Sequence, residues 1–72
     1  MNIMVYKGIR VNDIYQYMGS RSQCLIVIGI SGRENDTRDI HTKIHYRYLR
    51  TQETHWAYYT HFSSNFTLLE NK

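Results

Sequence analysis

The 72-residue sequence has no proline and only one cysteine. A single cysteine excludes an internal disulfide, so a reducing cytosol is the simplest compartment. Cys24 lies in the apolar run 24–28, where we expect it to act as a small buried hydrophobe. This run is too short to cross a bilayer, and the amino-terminal residues lack the layout of a secretory signal. We therefore expect a soluble, cytoplasmic protein with no membrane contact.

Catalytic signatures are also missing. The chain has no Gly-x-Ser-x-Gly elbow, no phosphate-cradling glycine loop and no His-Glu-x-x-His helix. His41 and His45 would lie on one face of a strand, but roughly 13 Å apart. That separation is too large for one metal ion held at about 2.1 Å from each nitrogen. We predict a protein that is not an enzyme and uses neither a metal ion nor a cofactor.

Acidic residues are fewer than basic ones, which gives a formal net charge of +3 and a pI near 9.2. A protein that imitates DNA needs a strongly acidic surface, so this class is excluded. The positive balance permits contact with nucleic acid or with another acidic surface, although it is modest for a dedicated nucleic-acid binder.

Seven tyrosines and the lack of proline indicate an ordered sheet rather than a disordered tail. The clearest pattern is residues 40–50, where side chains alternate with the two-residue period of a half-buried strand. One face is predicted to enter the core, and the other carries basic or titratable groups. The predicted inner residues are Ile40, Thr42, Ile44, Tyr46 and Tyr48, and the outer ones are His41, Lys43, His45 and Arg47.

The amino-terminal half predicts three further features. Residues 2–6 form an edge strand or a lead-in, and residues 9–17 form a bent strand or a strand and turn, which sends Val11, Ile14 or Tyr15 into the core. The apolar run 23–30 is typical of a strand buried on both faces, with a bulge at Gly29 where the sheet bends. Residues 31–39 form an exposed polar hairpin loop, which is either a plain connector or a second binding contact.

The carboxyl-terminal half is less clear. Residues 55–62 fit both a strand and a helix, and we favour a strand through about Thr60, paired with 40–50 across the turn 51–54. Phe62 and Phe66 are spaced for one helical turn, and residues 67–69 form a short final strand. The helix alternative for 55–62 stays open from the sequence.

Together these elements predict an all-β or β-rich α+β fold in a single domain, 1–72, with 1–7 and 70–72 loosely ordered. Four or five short antiparallel strands and one helical turn before the last strand favour a small SH3-like barrel. A flat antiparallel sheet with one helix is the alternative. A domain of this size has a core that is barely sufficient for stability.

The spacing of these positions resembles that of small SH3-like barrel proteins from bacteriophages and other mobile elements. The positions that carry the resemblance are Gly8-x-x-Val11-x-Asp13-Ile14-Tyr15, the run Ile26 to Ile30, Ile44-x-Tyr46-Arg47-Tyr48-Leu49, and Phe62-x-x-Asn65-Phe66-x-Leu68-Leu69. The resemblance implies a non-enzymatic accessory protein that acts by binding in the cytoplasm of a bacterial host. It identifies no partner, and no functional residue carries over from it.

Two kinds of recognition remain open for the basic strand face. Tyrosine, tryptophan and arginine contribute most to interface energy and are concentrated between residues 46 and 59, which favours capture of a host protein. The same face could follow a nucleic-acid backbone while aromatic rings stack on bases, and a homodimer is a further option. The plain alternative is a solvated strand whose tyrosine rings pack inward. The predicted partner-binding residues are Lys43, His45, Arg47, Arg50, Trp56, Tyr58 and Tyr59.

Overall fold

β-strands form most of the computed structural model, which describes residues 2–18, 23–32 and 38–70. A 3₁₀ helix at Asp39–His41 precedes β6, and α1 lies between the last two strands. The predicted strand-rich class with one short helix before the final strand is therefore confirmed. The elements are β1 (Asn2–Ile3), β2 (Val5–Tyr6), β3 (Ile9–Arg10), β4 (Ile14–Tyr17), β5 (Cys24–Ser31), β6 (Lys43–Tyr48), β7 (Thr54–Tyr58), α1 (Tyr59–Asn65) and β8 (Phe66–Glu70).

The main sheet runs in the order β7-β6-β5-β4-β8, with β1 also paired to β5, and the described pairings are antiparallel. The register of β5 against β6 shifts between Val27 and Gly29, which confirms the predicted bulge. A bulge bends a strand and increases its twist, and the sheet curls into a half-barrel compatible with an SH3-like layout. The strands β7 and β8 lie at the two ends of the sheet.

β6 confirms the predicted alternation over residues 42–48. Thr42, Ile44 and Tyr46 are buried, whereas Lys43, His45 and Arg47 lie on the opposite face and are half-buried. The core is formed mainly by inward side chains of the sheet together with residues from the β2–β3 hairpin and α1. Its members are Tyr6, Ile9, Tyr15, Leu25, Val27, Ile30, Ile44, Tyr46, Ala57, Phe62 and Phe66.

The prediction for Ile40 was wrong, because this residue belongs to the 3₁₀ helix and its side chain is 56% exposed. Backbone hydrogen bonds close the turn ahead of β6, and the Thr42 hydroxyl donates to the carbonyl of Arg38. Asp39 is also held from outside this segment, since Tyr6 and Lys7 donate hydrogen bonds to its carboxylate. At the other end of β6, Leu49 and Arg50 lie in a turn.

The prediction that β5 is buried on both faces was also wrong. Leu25, Val27 and Ile30 face the core, but Ile26 is half-buried and Ile28 is 40% exposed. The neighbouring Cys24 is likewise only half-buried. The cause is that the half-barrel encloses its core on the concave side, so the outward residues of β5 are only partly covered.

The β7 strand ends at Tyr58, two residues earlier than predicted, and α1 is longer than the single turn expected for 62–66. The Phe62–Phe66 pair is confirmed, since the two rings stack with centroids 4.7 Å apart. Phe62 is fully buried, and its ring also lies 5.0 Å from Tyr15. The side chains alternate as in a strand through residue 61, but burial of the Phe62 ring stabilises a helix from Tyr59 onward.

The amino-terminal residues form β1 and β2, and β2 pairs with β3 in a tight hairpin. Its two turn residues, Lys7 and Gly8, both have positive φ (47° and 86°), as a two-residue hairpin turn of type I′ requires. After β3 the chain turns at Asn12 and enters β4. Of the three core candidates in this part, Tyr15 is buried, while Val11 and Ile14 are half-buried.

Candidate partner-binding surface

The register of β6 against β7 brings two rows of candidate side chains together. Lys43 lies opposite Tyr58, His45 opposite Trp56, and Arg47 opposite Thr54. Paired residues in an antiparallel sheet point to the same side, and this side is the one turned away from the core. We define the outer face as these six residues, Lys43, His45, Arg47, Thr54, Trp56 and Tyr58.

Trp56 and Tyr58 form the aromatic row of the outer face. Their side chains are 48% and 40% exposed, and their rings meet edge to face with centroids 5.1 Å apart. The ammonium nitrogen of Lys43 lies 4.4 Å from the centroid of the Trp56 ring. A cation over an indole at an exposed site contributes about 0.5–1 kcal/mol, so this contact favours a position of the Lys43 charge beside the aromatic row.

The other two basic side chains are positioned from β5. The Nε2 atom of His45 lies 2.9 Å from the hydroxyl oxygen of Ser31, which orients the imidazole ring. Arg47 lies opposite Ile26, and its Nε atom is buried with no hydrogen-bond partner among the described residues. The arginine stem therefore packs on the sheet.

The charges of the outer face are not neutralised by described acids. The described residues contain one ion pair, between Lys7 and Asp39 with 2.9 Å between Nζ and Oδ1. Asp39 is committed to that contact, and the Lys7 hydrogen bond, followed by that of Tyr6, lowers the pKa of its carboxyl. Asp13 is fully buried. Neither Lys43 nor Arg47 forms an ion pair with a described acid, so both contribute positive charge to this side of the sheet.

Two predicted residues lie away from the outer face. Tyr59 begins α1 and is half-buried against Tyr6, with ring centroids 5.2 Å apart. Arg50 lies in the β6–β7 turn and lines an open concavity of about 430 Å³. The remaining residues around this concavity are Gln23, Cys24, Tyr48, Thr51 and Glu53.

The packing of the tyrosines decides how much aromatic surface is left. Tyr6, Tyr15 and Tyr46 are buried, and burial raises the pKa of Tyr46 to about 12. Trp56 and Tyr58 remain exposed side by side. Tyr48 and Tyr59 also pack against the core, so five of the seven tyrosines contribute to it, and the exposed rings that adjoin the basic row are Trp56 and Tyr58.

The sequence placed Ser31 in the loop proposed as a second contact and Thr54 in a turn, whereas Ser31 ends β5 beside His45 and Thr54 begins β7. Ser31, Gly32, His41, Lys43 and Tyr58 also line a shallow depression of about 190 Å³. The alternation of residues 54–58 carries a signal for Thr54, whereas the apolar run of β5 does not alternate and carries none for Ser31. Only the strand register shows which residues become neighbours. Most of the loop proposed as a second contact, residues 33–37, lies outside the described residues.

The fold and this surface define a small β-rich half-barrel with a basic and aromatic outer face. Among the described residues, no group of three or more histidine, cysteine or acidic side chains is placed to hold a metal ion. A search of the same residues finds no helix with the length and apolar character needed to span a membrane. No protein-family model matches the chain, and searches of curated proteins and of solved structures find no significant match.

Proposed function

We propose that this chain is a non-enzymatic binding protein that captures another protein on its outer face. The observation that carries the proposal is the exposed Trp56–Tyr58 pair, with the Lys43 ammonium over the indole and without an ion pair to a described acid. Tryptophan, tyrosine and arginine are the residues that most often dominate interface energy. A preoriented cluster of this kind loses little conformational entropy on binding.

We further propose that the partner is a bacterial host protein and that binding in the host cytoplasm blocks or redirects it. The support for this biological setting is the resemblance of the residue layout to small barrel proteins of phages and mobile elements. The setting and the binding surface are separate parts of the proposal, because the surface is argued from contacts and charges alone.

Nucleic-acid binding is the second candidate, and Lys43 and Arg47 are the observation in its favour. Two firm charges and one histidine would release few counterions, so nucleic-acid binding through this face would have only a small electrostatic driving force. Lys43 already occupies one face of the indole, which leaves Trp56 less surface for stacking on a base. The outer face therefore suits a protein surface better than a nucleic-acid strand.

The test is capture from bacterial lysate on immobilised protein, with mass spectrometry and increasing salt. The protein candidate predicts one recurring partner that is retained at high salt and released by Trp56→Ala, since truncating a central aromatic residue costs about 2 kcal/mol or more, roughly thirtyfold in Kd. Lys43→Glu should also weaken capture.

Two matched variants control for nonspecific effects. Leu69→Ala removes another exposed apolar side chain, from β8, and Arg10→Glu reverses a charge in the separate β2–β3 sheet. Both should retain the partner. Equal loss in the outer-face and control variants, or oligonucleotide binding that replaces protein capture at low salt, would contradict the proposal.

A further inference from the structure

The strand β7 ends the main sheet, and its outer edge is unpaired within the described residues. Two backbone hydrogen bonds between the neighbouring chain segments fix which amide groups of β7 face that edge. Tyr48 N–H donates to the Glu53 carbonyl, and Tyr59 N–H donates to the Thr42 carbonyl. These two hydrogen-bonded pairs continue, at either end, the register in which residues of β6 lie opposite residues of β7.

Hydrogen-bonded and non-hydrogen-bonded pairs alternate along an antiparallel ladder. Residues 55 and 57 therefore belong to hydrogen-bonded pairs, and their N–H and C=O groups point toward β6. Thr54, Trp56 and Tyr58 belong to non-hydrogen-bonded pairs, so their N–H groups point away from β6 to the open edge. The carbonyls of Thr54 and Trp56 point the same way, while Tyr58 occupies the N-cap of α1.

The three residues whose amides face the edge are also the three β7 members of the outer face. An extended segment pairing with β7 would thus run beside Trp56 and Tyr58, because alternate residues of paired strands share a face. Lys43 reaches across from β6 to lie over Trp56, which brings its charge toward this edge. Acidic side chains on the incoming segment would complement Lys43 and Arg47.

We propose that the open edge of β7 accepts an extended segment of a partner protein with acidic side chains at alternate positions. This inference rests on the proposed function and specifies its mode of recognition as addition of a strand to the sheet. Charge favours this occupant over a second copy of the chain, because two copies joined at β7 would bring two positively charged outer faces together.

The backbone at Tyr58 allows a sharp test. Its φ is −66°, the value that a proline ring imposes, and its N–H points to the open edge. Tyr58→Pro therefore removes one edge donor without breaking a bond to β6. Tyr58→Ala removes the same aromatic ring but keeps the donor, so the two variants differ at the backbone.

The probe is an acetylated, amidated peptide of alternating glutamate and threonine, and binding is followed by the fluorescence of Trp56, the single tryptophan of the chain. We expect this peptide to bind, and Tyr58→Pro to weaken it about threefold to tenfold relative to Tyr58→Ala, as expected for one lost hydrogen bond. The lysine–threonine counterpart should not bind. Amide exchange at Trp56 should slow when the acidic peptide is present.

No binding of the acidic peptide, equal affinity of the two Tyr58 variants, or binding of both peptides alike would overturn the inference. A concentration-dependent dimer abolished by Tyr58→Pro would also overturn it, in favour of a second copy. The proposed function is tested separately: a lysate partner that is lost with Trp56→Ala but held equally by the two Tyr58 variants would leave it standing without strand addition.

Discussion

Tyr46 shows how one aromatic residue can couple core packing to pH. Its ring lies 5.6 Å from Phe62, 5.3 Å from Phe66 and 5.7 Å from Tyr48, measured between centroids. Burial is the main reason that its pKa is raised, and the Tyr48 phenol adds to the effect. The neutral phenol is thus the form that the folded protein accommodates.

We predict that the free energy of unfolding decreases as pH rises from the ordinary tyrosine value of 10.0 to about 12, because the unfolded chain ionises Tyr46 first. Tyr46→Phe should reduce this alkaline loss, as measured by urea unfolding across that range. Part of the loss should remain, since burial also raises the pKa of Tyr6 and Tyr15. The exposed Tyr58→Phe is the control, and an equal effect of both variants would contradict the assignment.

Asp39 should have the opposite pH dependence. Because hydrogen bonds from Lys7 and Tyr6 lower its pKa, its contribution is present above the ordinary value of 3.8 and is lost as pH falls through the folded-state pKa. Asp39→Asn should therefore lower Tm at neutral pH and lower it less at a pH below 3.8. Thermal scans of both proteins at both pH values measure the difference in Tm. A difference that is larger in acid would show that the Asp39 carboxylate does not stabilise the fold in this way.

At the level of secondary-structure elements, α1 depends on Phe62. Its ring is fully buried and contacts Tyr15, Tyr46 and Phe66. Phe62→Ala should cost about 3–5 kcal/mol of unfolding free energy, a large share of the stability expected for a small domain. Urea titration measures the loss. Leu69→Ala, which truncates a 51% exposed side chain of β8, should change it by less than about 0.5 kcal/mol, and similar losses would show that α1 is not anchored in this way.

The strand β6 could be predicted from the sequence because its buried positions, Thr42, Ile44 and Tyr46, alternate with basic residues in the two-residue period of a strand. It failed at Ile40 because the preceding turn is stabilised by Tyr6, a partner 33 residues from Asp39, and no local pattern reports such a contact. The early start of α1 at Tyr59 has a similar origin. Residues 55–61 alternate like a strand, and the burial of Phe62 determines where the strand ends.

At the scale of the whole molecule, curvature of the sheet determines what can bind. The half-barrel buries its concave side and leaves β7 at one end of the sheet, with the outer face beside an open edge. The sequence could predict the basic and aromatic residues individually. It could not predict that Trp56 lies opposite His45, or that Tyr59 and Arg50 lie elsewhere, because these relations depend on strand register and on where the turn and helix begin.

The central claim is that a protein partner binds at the outer face and the adjoining edge of β7. The most direct measurement is hydrogen–deuterium exchange of the chain, free and in complex with the protein that it captures. We expect slower exchange across residues 54–58 in the complex and little change across residues 62–70. Slower exchange across α1 and β8, with residues 54–58 unchanged, would place the interface on the other end of the sheet and contradict the claim.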